Sequence, residues 1–325
     1  MVTDEVKNLR RCKNNVGLEV ELEDVRFNKI NEKLWEVTED GSLRGAYSYE
    51  FRFQEPLTGE RALAAVDDLV TNVRLSNRSI NSRTSLHIHV DIRNMNPRQL
   101  IEMYSWYSMF EYLFYNYYAK DRVKSNFAVP IHFQPWLHEK MFLSVFKNVD
   151  DMDRKLDSTT QRSWCIRAFT PNKYSALGLF RFRDLGTIEF RHFQVPKDFT
   201  VDSFRKCIDA CLGLKSAAMK SDLSPWALNR KQIDQAGAFI FRDDWEKMKE
   251  LDPGLTKTWL NYCHMIHVVE KAACLNSSMP YERIVPDDEE AQPEERVTLR
   301  GLTGLTDDHV REWYQEAIHT YSISS

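Results

Sequence analysis

The chain has 325 residues, of which 42% are hydrophobic, and its 44 lysines and arginines against 48 aspartates and glutamates give a formal net charge of −4. This near-neutral balance argues against a basic nucleic-acid-binding protein, and no apolar run approaches the ~18 residues that a membrane span requires. The amino-terminal residues contain no apolar signal region, and the six cysteines show no disulfide or CxxC pattern, so we expect a reduced, cytoplasmic protein.

The first half of the chain is predicted to combine strands with a few helices. Alternation of apolar and polar residues predicts four strands, at 16–23, 47–53, 85–91 and 180–193. Helical spacing predicts a helix at 60–74. A second helix is predicted at 97–119, because Asn96 is a good N-cap and the proline after it suits a first turn. Aromatic residues on every side of this second helix indicate that it is buried on several sides.

The second half of the chain is predicted to be mainly helical. Further helices are expected at 202–220, 244–249, 256–274 and from residue 306 onward. The stretch 286–296 has six acidic residues and two prolines, which is typical of an exposed linker. Together the elements predict an α+β fold, with an antiparallel sheet flanked by helices over residues 1–220 and a helical C-terminal extension over residues 221–325.

The polar sides of the predicted strands have an unusual composition. A strand sends alternate side chains to opposite faces, and here the polar positions carry Glu, His and Arg but no Lys. The charged or imidazole side chains at these positions are Glu19, Glu21, Glu23, Glu50, Arg52, His87, His89, Asp91, Arg181, Arg183, Glu189 and Arg191.

This composition favours a metal and phosphate site over the plain alternative, a half-solvated antiparallel sheet. Three like charges at successive positions on one face repel each other unless a cation lies among them. Carboxylates with an imidazole suit Mg²⁺ or Mn²⁺, and arginines on the same face suit phosphate oxygens.

Five short segments, in order over about residues 16–215, resemble the amidoligase family, a branch of the glutamine synthetase-like carboxylate–amine ligases. They are Gly17-Leu-Glu-Val-Glu21, Glu39-Asp-Gly-Ser-Leu43, Leu86-His-Ile-His-Val-Asp91, Lys173-Tyr174 and Thr187-Ile-Glu-Phe-Arg191. The resemblance implies that residues 1–220 form a catalytic domain, with a curved antiparallel sheet around ATP and two or more Mg²⁺ ions. It also implies a reaction in which ATP phosphorylates a carboxylate and an amine attacks the acyl phosphate to form an amide.

The resemblance also implies roles for individual residues. The metal ligands would be Glu19, Glu21, His87 and Glu189, whereas His89 would contact substrate or support a ligand. The catalytic residues would be Asp40, Glu50, Glu189 and Arg191, and the nucleotide contacts would be Arg122, Lys173 and Arg191. The strand pattern adds Arg183 as a phosphate contact, with an edge-strand charge that discourages pairing with other chains as the alternative. The family commonly has Ser-Pro soon after its middle acid, but this chain runs Glu50-Phe-Arg-Phe-Gln-Glu-Pro56. The middle acid ligand is therefore left open among Asp40, Glu50 and Glu55.

Three other functions compete with an ATP-dependent ligase. A phosphotransferase of the same architecture would stop at the phosphorylated acceptor. A metal-dependent hydrolase or dioxygenase on a cupin-like barrel would use His87 and His89, but it calls for a Glu shortly after the second histidine, where this chain has Ile92, Arg93 and Asn94. A non-catalytic binding protein is the third. For a ligase, the partners are a carboxylate and an amine, each a small molecule, a peptide or a protein side chain, and the resemblance allows a homo-oligomer.

Overall fold

The computed structural model of the chain describes residues 15–123, 125, 128–131, 155–157, 162, 174–179, 181–220, 224–225 and 228–276. The predicted linker at 286–296, the helix predicted from residue 306 and Lys173 lie outside the described residues.

Within this part of the chain, the strands form two antiparallel sheets. A six-stranded sheet has the order β3-β4-β1-β6-β8-β7, and β2 pairs with β5 in a separate two-stranded sheet. The strands are β1 (Val16–Leu22), β2 (Arg26–Phe27), β3 (Trp35–Thr38), β4 (Tyr49–Phe53), β5 (Val73–Arg74), β6 (Leu86–Asp91), β7 (Leu177–Gly178) and β8 (Thr187–Phe190).

Helices flank the six-stranded sheet. The α-helices of the described residues are α1 (Gly59–Asn72), α2 (Pro97–Tyr118), α3 (Phe182–Leu185), α4 (Val201–Ala218), α5 (Arg230–Phe241), α6 (Trp245–Glu250) and α7 (Thr256–Asn276). The sequence signal for α2 is confirmed in detail, because the Asn96 side chain accepts from Gln99 N while the Gln99 side chain accepts from Asn96 N. This reciprocal capping box satisfies two main-chain donors that the first helical turn would otherwise leave unpaired.

One face of the large sheet forms the centre of the hydrophobic core. Apolar side chains that alternate along β1, β4, β6 and β8, such as Val20 and Ile88, are fully buried there. Hydrogen bonds from the polar atoms of aromatic side chains join the helices to the sheet, in addition to apolar packing. Trp35 Nε1 donates to Ala65 O of α1 at 2.9 Å, and Tyr104 OH of α2 donates to Leu177 O of β7 at 2.8 Å. The aromatic load of α2 therefore serves packing, as its even distribution around the helix indicates.

The helices after residue 220 belong to the same hydrophobic core. In the described part of this segment, α7 packs on α2 and α5 packs on α4. The helical character expected beyond residue 220 is thus confirmed for residues 230–276, while the division of the chain at residue 220 stays a prediction.

The α+β class and the antiparallel sheet flanked by helices are confirmed, but one predicted strand is wrong over part of its length. Among the described residues 181–193, only Thr187–Phe190 form a strand, and Phe182–Leu185 form the short helix α3. Gly186 ends that helix in the left-handed conformation, with φ of 71°, which a glycine adopts without a steric penalty. Among the described residues, no helix combines the length and apolar character needed to cross a bilayer.

Candidate functional site

Four adjacent strands, β4, β1, β6 and β8, bring acidic and imidazole side chains to the sheet face opposite the core. In the strand register the directly opposed pairs are Glu19 with Arg52, Glu19 with His87, Glu21 with Glu50, and His89 with Glu189. Opposed residues of an antiparallel pair share a face, with Cβ atoms about 4.5–5.5 Å apart. We call the side chains of Glu19, Glu21, Glu50, His87, His89 and Glu189 the polar face.

The middle of the polar face is removed from solvent. The exposed fractions are 9% for Glu21, 2% for His87, 6% for His89 and 3% for Glu189. Buried ionisable groups are costly unless they are paired or bind an ion. A half-solvated sheet, the plain alternative from the sequence, therefore does not describe this face.

Glu19, His89 and Glu189 form a group suited to a metal ion. One ligand atom from each lies within 4.8 Å of the others. His89 Nε2 is 3.2 Å from Glu19 Oε1 and 4.0 Å from Glu189 Oε1. This nitrogen is buried and makes no well-aligned hydrogen bond within the described residues, while Nδ1 of the same ring is held 3.3 Å from Thr187 Oγ1. A buried nitrogen directed at two carboxylates is an observation that a bound cation would explain.

His87 lies beside this group and connects it to Glu21. His87 Nδ1 is 3.1 Å from Glu19 Oε2 and 3.5 Å from Glu189 Oε1. On the other side of the ring, His87 Nε2 is 2.9 Å from Ser85 Oγ, and Ser85 Oγ donates to Glu21 Oε2. All four predicted metal ligands therefore share one face, as the alternation predicts, and the structure adds His89 to their immediate surroundings. Sequence analysis missed Ser85, although its position two residues before His87 places it on the same face.

Three groups of the polar face, Glu19, His89 and Glu50, have shifted pKa values. Burial favours a raised pKa for Glu19, but contacts with His87 and His89 and their charge outweigh it and hold the pKa of Glu19 well below its usual range. For His89, burial favours a lower pKa, yet contact with Glu19 and the charges of Glu189 and Glu19 raise it. Burial, and after it the charge of Glu19, raises the pKa of Glu50.

Two predicted nucleotide-binding arginines lie at different depths next to the polar face. Arg191 Nη1 donates to Glu189 Oε1, and 15% of the Arg191 side chain is exposed. The guanidinium of Arg122 is buried and donates to Thr84 O at 2.8 Å and to Arg191 O at 3.3 Å. Arg122 thus links the main chain next to β6 with the main chain after β8, and its phosphate contact stays a prediction.

The candidates for the middle acid are clearly separated in space. Glu50 faces Glu21 and lies close enough to Glu19 for their charges to interact. Glu55 is exposed and forms an ion pair with Arg61 at 2.6 Å. Asp40 accepts from Ser42 N at 2.6 Å in the turn after β3. The geometry therefore favours Glu50.

Arg183 is not on the strand face that the sequence predicts. It is exposed on α3, because the segment before Gly186 is helical. The proposed nucleotide contact of Arg183 therefore loses the strand geometry on which it was based.

A cavity of about 300 Å³ opens beside the metal group, at the end of the sheet where β1 begins. Glu19, His89 and Thr187 line it on the inner side, and Arg52 and Arg93 line it farther out. Each of these arginines is already paired, Arg52 with Glu36 and Arg93 with Asp91. This volume is at the lower end of the range of small-molecule sites, so the cavity has room for a small substrate next to a bound ion.

The donor set predicts a preference among metals. Mg²⁺ is bound mainly by oxygen ligands, whereas imidazole nitrogens suit transition metals. Since His87 and His89 both adjoin Glu19 and Glu189, we expect the full-length protein to bind Mn²⁺ more tightly than Mg²⁺ in calorimetric titrations without nucleotide. His89→Gln should reduce the difference in affinity between Mn²⁺ and Mg²⁺. Equal affinities of the wild-type protein for Mn²⁺ and Mg²⁺ would contradict this assignment.

The raised pKa of His89 predicts a pH-dependent stability of the metal-free protein. Burial disfavours protonated His89, and Arg191 opposes it as well, but contact with Glu19 from β1 and the charges of Glu189 from β8 and of Glu19 outweigh both effects. This stabilisation is complete below the ordinary pKa of 6.5 and is lost as pH rises through the folded-state value. The difference in unfolding free energy between wild type and His89→Gln should therefore shrink as the pH rises above 6.5. Urea unfolding of both proteins with chelator present measures it, and a constant difference would contradict the prediction.

Comparison of the chain with protein-family models, curated proteins and solved structures gave no match. The resemblance to glutamine synthetase-like ligases therefore depends on the five segments named above, and function has to be argued from the polar face itself.

Proposed function

We propose that this protein is an ATP-dependent carboxylate–amine ligase that forms an amide through an acyl phosphate. The observation that carries the proposal is the polar face, where Glu19, His87, His89 and Glu189 surround one small volume and Arg191 contacts Glu189. A ligase of this kind must bring an anionic carboxylate next to the phosphates of ATP, and this requires fixed positive charge in a site with little water.

Residues of the polar face fit the groups that such a reaction needs. Bound ATP would supply the phosphoryl group, and its divalent ions would neutralise the charge that builds up between the two anions. Glu19 and Glu189, with the two histidines, have the donor atoms to hold an ion. Arg191 offers a guanidinium to the transferred phosphate or to the substrate carboxylate.

In this proposal, Glu50 would accept the proton of the amine. An amine must lose a proton before or while it attacks, and a nearby carboxylate can take that proton. Glu50 is half-buried and faces Glu21 across the β1–β4 pair. Its raised pKa makes it a stronger base than an exposed glutamate. The cavity beside Glu19 and His89 offers space for one of the two substrates.

Release of ADP tests the proposal. The full-length protein would be incubated with ATP and Mg²⁺ or Mn²⁺, in the presence of mixed pools of carboxylates and amines. A ligase should release ADP only when both an acid and an amine are present. ADP release with the acid alone would instead identify a phosphotransferase. The absence of ADP release in every pool, together with no ATP binding, would contradict both.

A metal-dependent enzyme that does not use ATP is a second candidate, and one observation favours it. His89 joins Glu19 and Glu189 in the metal group, and two adjacent histidines with carboxylates are also typical of metal sites that activate water. Hydrolysis of ester or phosphodiester probes by the Mn²⁺-loaded protein without ATP would support this candidate over the ligase.

A further inference from the structure

Ser85 occupies a bridging position that neither the sequence analysis nor the proposed reaction assigns. It directly precedes β6 and is fully buried. Its hydroxyl contacts two groups of the polar face at once, Glu21 Oε2 and His87 Nε2. Full burial and these two contacts rule out a role as an accessible nucleophile, so its function has to be sought in the groups that it touches.

The hydrogen-bond donors and acceptors determine the direction of both contacts. A serine hydroxyl has one proton to donate, and an ionised carboxylate only accepts. The Ser85 proton is therefore directed to Glu21. At the second contact, 2.9 Å from His87 Nε2, the Ser85 oxygen must act as the acceptor, so Nε2 of His87 carries a proton.

This arrangement leaves Nδ1 as the nitrogen of His87 that faces the carboxylates. Nδ1 lies at hydrogen-bond distance from Glu19 Oε2, 3.1 Å, and 3.5 Å from Glu189 Oε1. Because an ionised carboxylate only accepts, Nδ1 donates a proton to Glu19 when no metal is bound. A divalent ion held by Glu19 and Glu189 would take the place of that proton, and a ring that keeps its proton on Nε2 would then offer the Nδ1 lone pair to the ion.

We infer that Ser85 is a positioning residue that fixes the Nε2-protonated form of His87, so that His87 offers Nδ1 to a divalent ion held by Glu19 and Glu189. The inference rests on the metal site of the proposed function. His89 has the opposite arrangement, because its Nδ1 is next to Thr187 Oγ1 and its Nε2 faces Glu19. His87 and His89, two residues apart on β6, thus direct different ring nitrogens at Glu19. In each ring, the other nitrogen lies next to a hydroxyl group.

Nuclear magnetic resonance of the wild-type protein tests the orientation directly. The full-length chain would be labelled with ¹⁵N-histidine and loaded with ¹¹³Cd²⁺ as a diamagnetic probe, and His87→Gln would identify the His87 signals. We expect coupling between cadmium and Nδ1 of His87, with a proton retained on Nε2. Coupling to Nε2 of His87 would overturn the inference, and this measurement needs no Ser85 variant.

Metal affinity tests the part played by the hydroxyl. Loss of a group that orients a metal-binding histidine typically weakens metal binding about 10–100-fold, so Ser85→Ala should weaken Mn²⁺ binding by that factor. Ser108→Ala is the matched control, because the Ser108 hydroxyl is buried without a hydrogen-bond partner in the described part of the chain. It should leave Mn²⁺ affinity unchanged.

A double-mutant comparison separates positioning from a general structural effect. When His87→Gln is already present, Ser85→Ala should weaken Mn²⁺ binding little further, because the ring that it orients is absent. If Ser85→Ala weakened Mn²⁺ binding equally with and without His87, or if Ser85→Ala bound Mn²⁺ as tightly as the wild type, the role of Ser85 would be overturned. Either result would leave the proposed function standing. A wild-type protein that binds neither Mn²⁺ nor Cd²⁺ would overturn the proposed function as well.

Discussion

Glu189→Gln is expected to lower the rate of ADP release by at least about 100-fold, which is the usual effect of removing one group that stabilises charge in a transition state. Glu189 lies within ion-pair distance of Arg191, His87 and His89. It contacts Arg191, lies 3.5 Å from His87 Nδ1 and belongs to the metal group. Glutamine has nearly the same shape but no charge, so the variant removes the anionic ligand without leaving a hole. The assay is ADP release under the conditions that are optimal for the wild type.

Glu246→Gln is the matched control for this variant. It is the same chemical change at an exposed glutamate of α6, whose ion pair with Lys249 is in solvent, and surface pairs of this kind contribute about 0–1 kcal/mol. The control should keep wild-type activity. Circular dichroism melting should show that Glu189→Gln is folded. Equal ADP release by wild type and a folded Glu189→Gln would end the ligase assignment.

Gly213→Ala is expected to destabilise the fold by about 2 kcal/mol, as is typical of overpacking in a close contact. Gly213 lies in α4 where α5 crosses it, and a Cβ atom there would be 2.2 Å from Ile240 O and 3.1 Å from Ile240 Cα. The clash is with main-chain atoms, so a change of side-chain rotamer cannot relieve it. Alanine gains about 1 kcal/mol over glycine in helix propensity, which offsets only part of the loss. Urea unfolding measures the net change.

Gly41→Ala provides the comparison for that substitution. A Cβ atom at Gly41 would have no neighbour within 4 Å, and surface changes of this kind alter stability by about 0.5 kcal/mol or less. If both variants unfold at the same urea concentration, the close contact described here between Gly213 of α4 and Ile240 of α5 is contradicted.

The elements that could be predicted from the sequence are those with a strong local signal. The segment 85–91 alternates without a break, and the capping residues Asn96 and Pro97 mark the start of α2. The strand β3 was not predicted, because Trp35–Thr38 contains too few residues for the alternation of apolar and polar side chains to be recognised. Helix α5 was missed although Asn229 and Gln232 form a readable capping box. Residues 180–185 also alternate as a strand would. Phe182–Leu185 nevertheless form a helical turn, which ends at the left-handed Gly186.

The candidate site could be predicted as a set of residues but not as an arrangement. Alternation is sufficient to place Glu19 and Glu21 on one face of β1, and His87 and His89 on one face of β6. Which of these side chains meet depends on strand register, since Ser85 and Glu21 touch across 64 residues of chain. The orientation of His89 depends on the Thr187 hydroxyl of the neighbouring strand β8, a contact that no local pattern encodes, whereas Ser85 lies two residues before His87.

The wide spacing of the metal group along the chain has a consequence for biosynthesis. His89 and its neighbour Thr187 are 98 residues apart, so a nascent polypeptide that has emerged only as far as β6 displays Glu19 and both histidines but lacks Glu189. Pairings between distant segments form slowly because a long loop must close first. The group of Glu19, His89 and Glu189 is therefore complete only after β8 has been synthesised and has docked. An ion held by all three residues would be taken up late in folding of the sheet and would not guide its early steps.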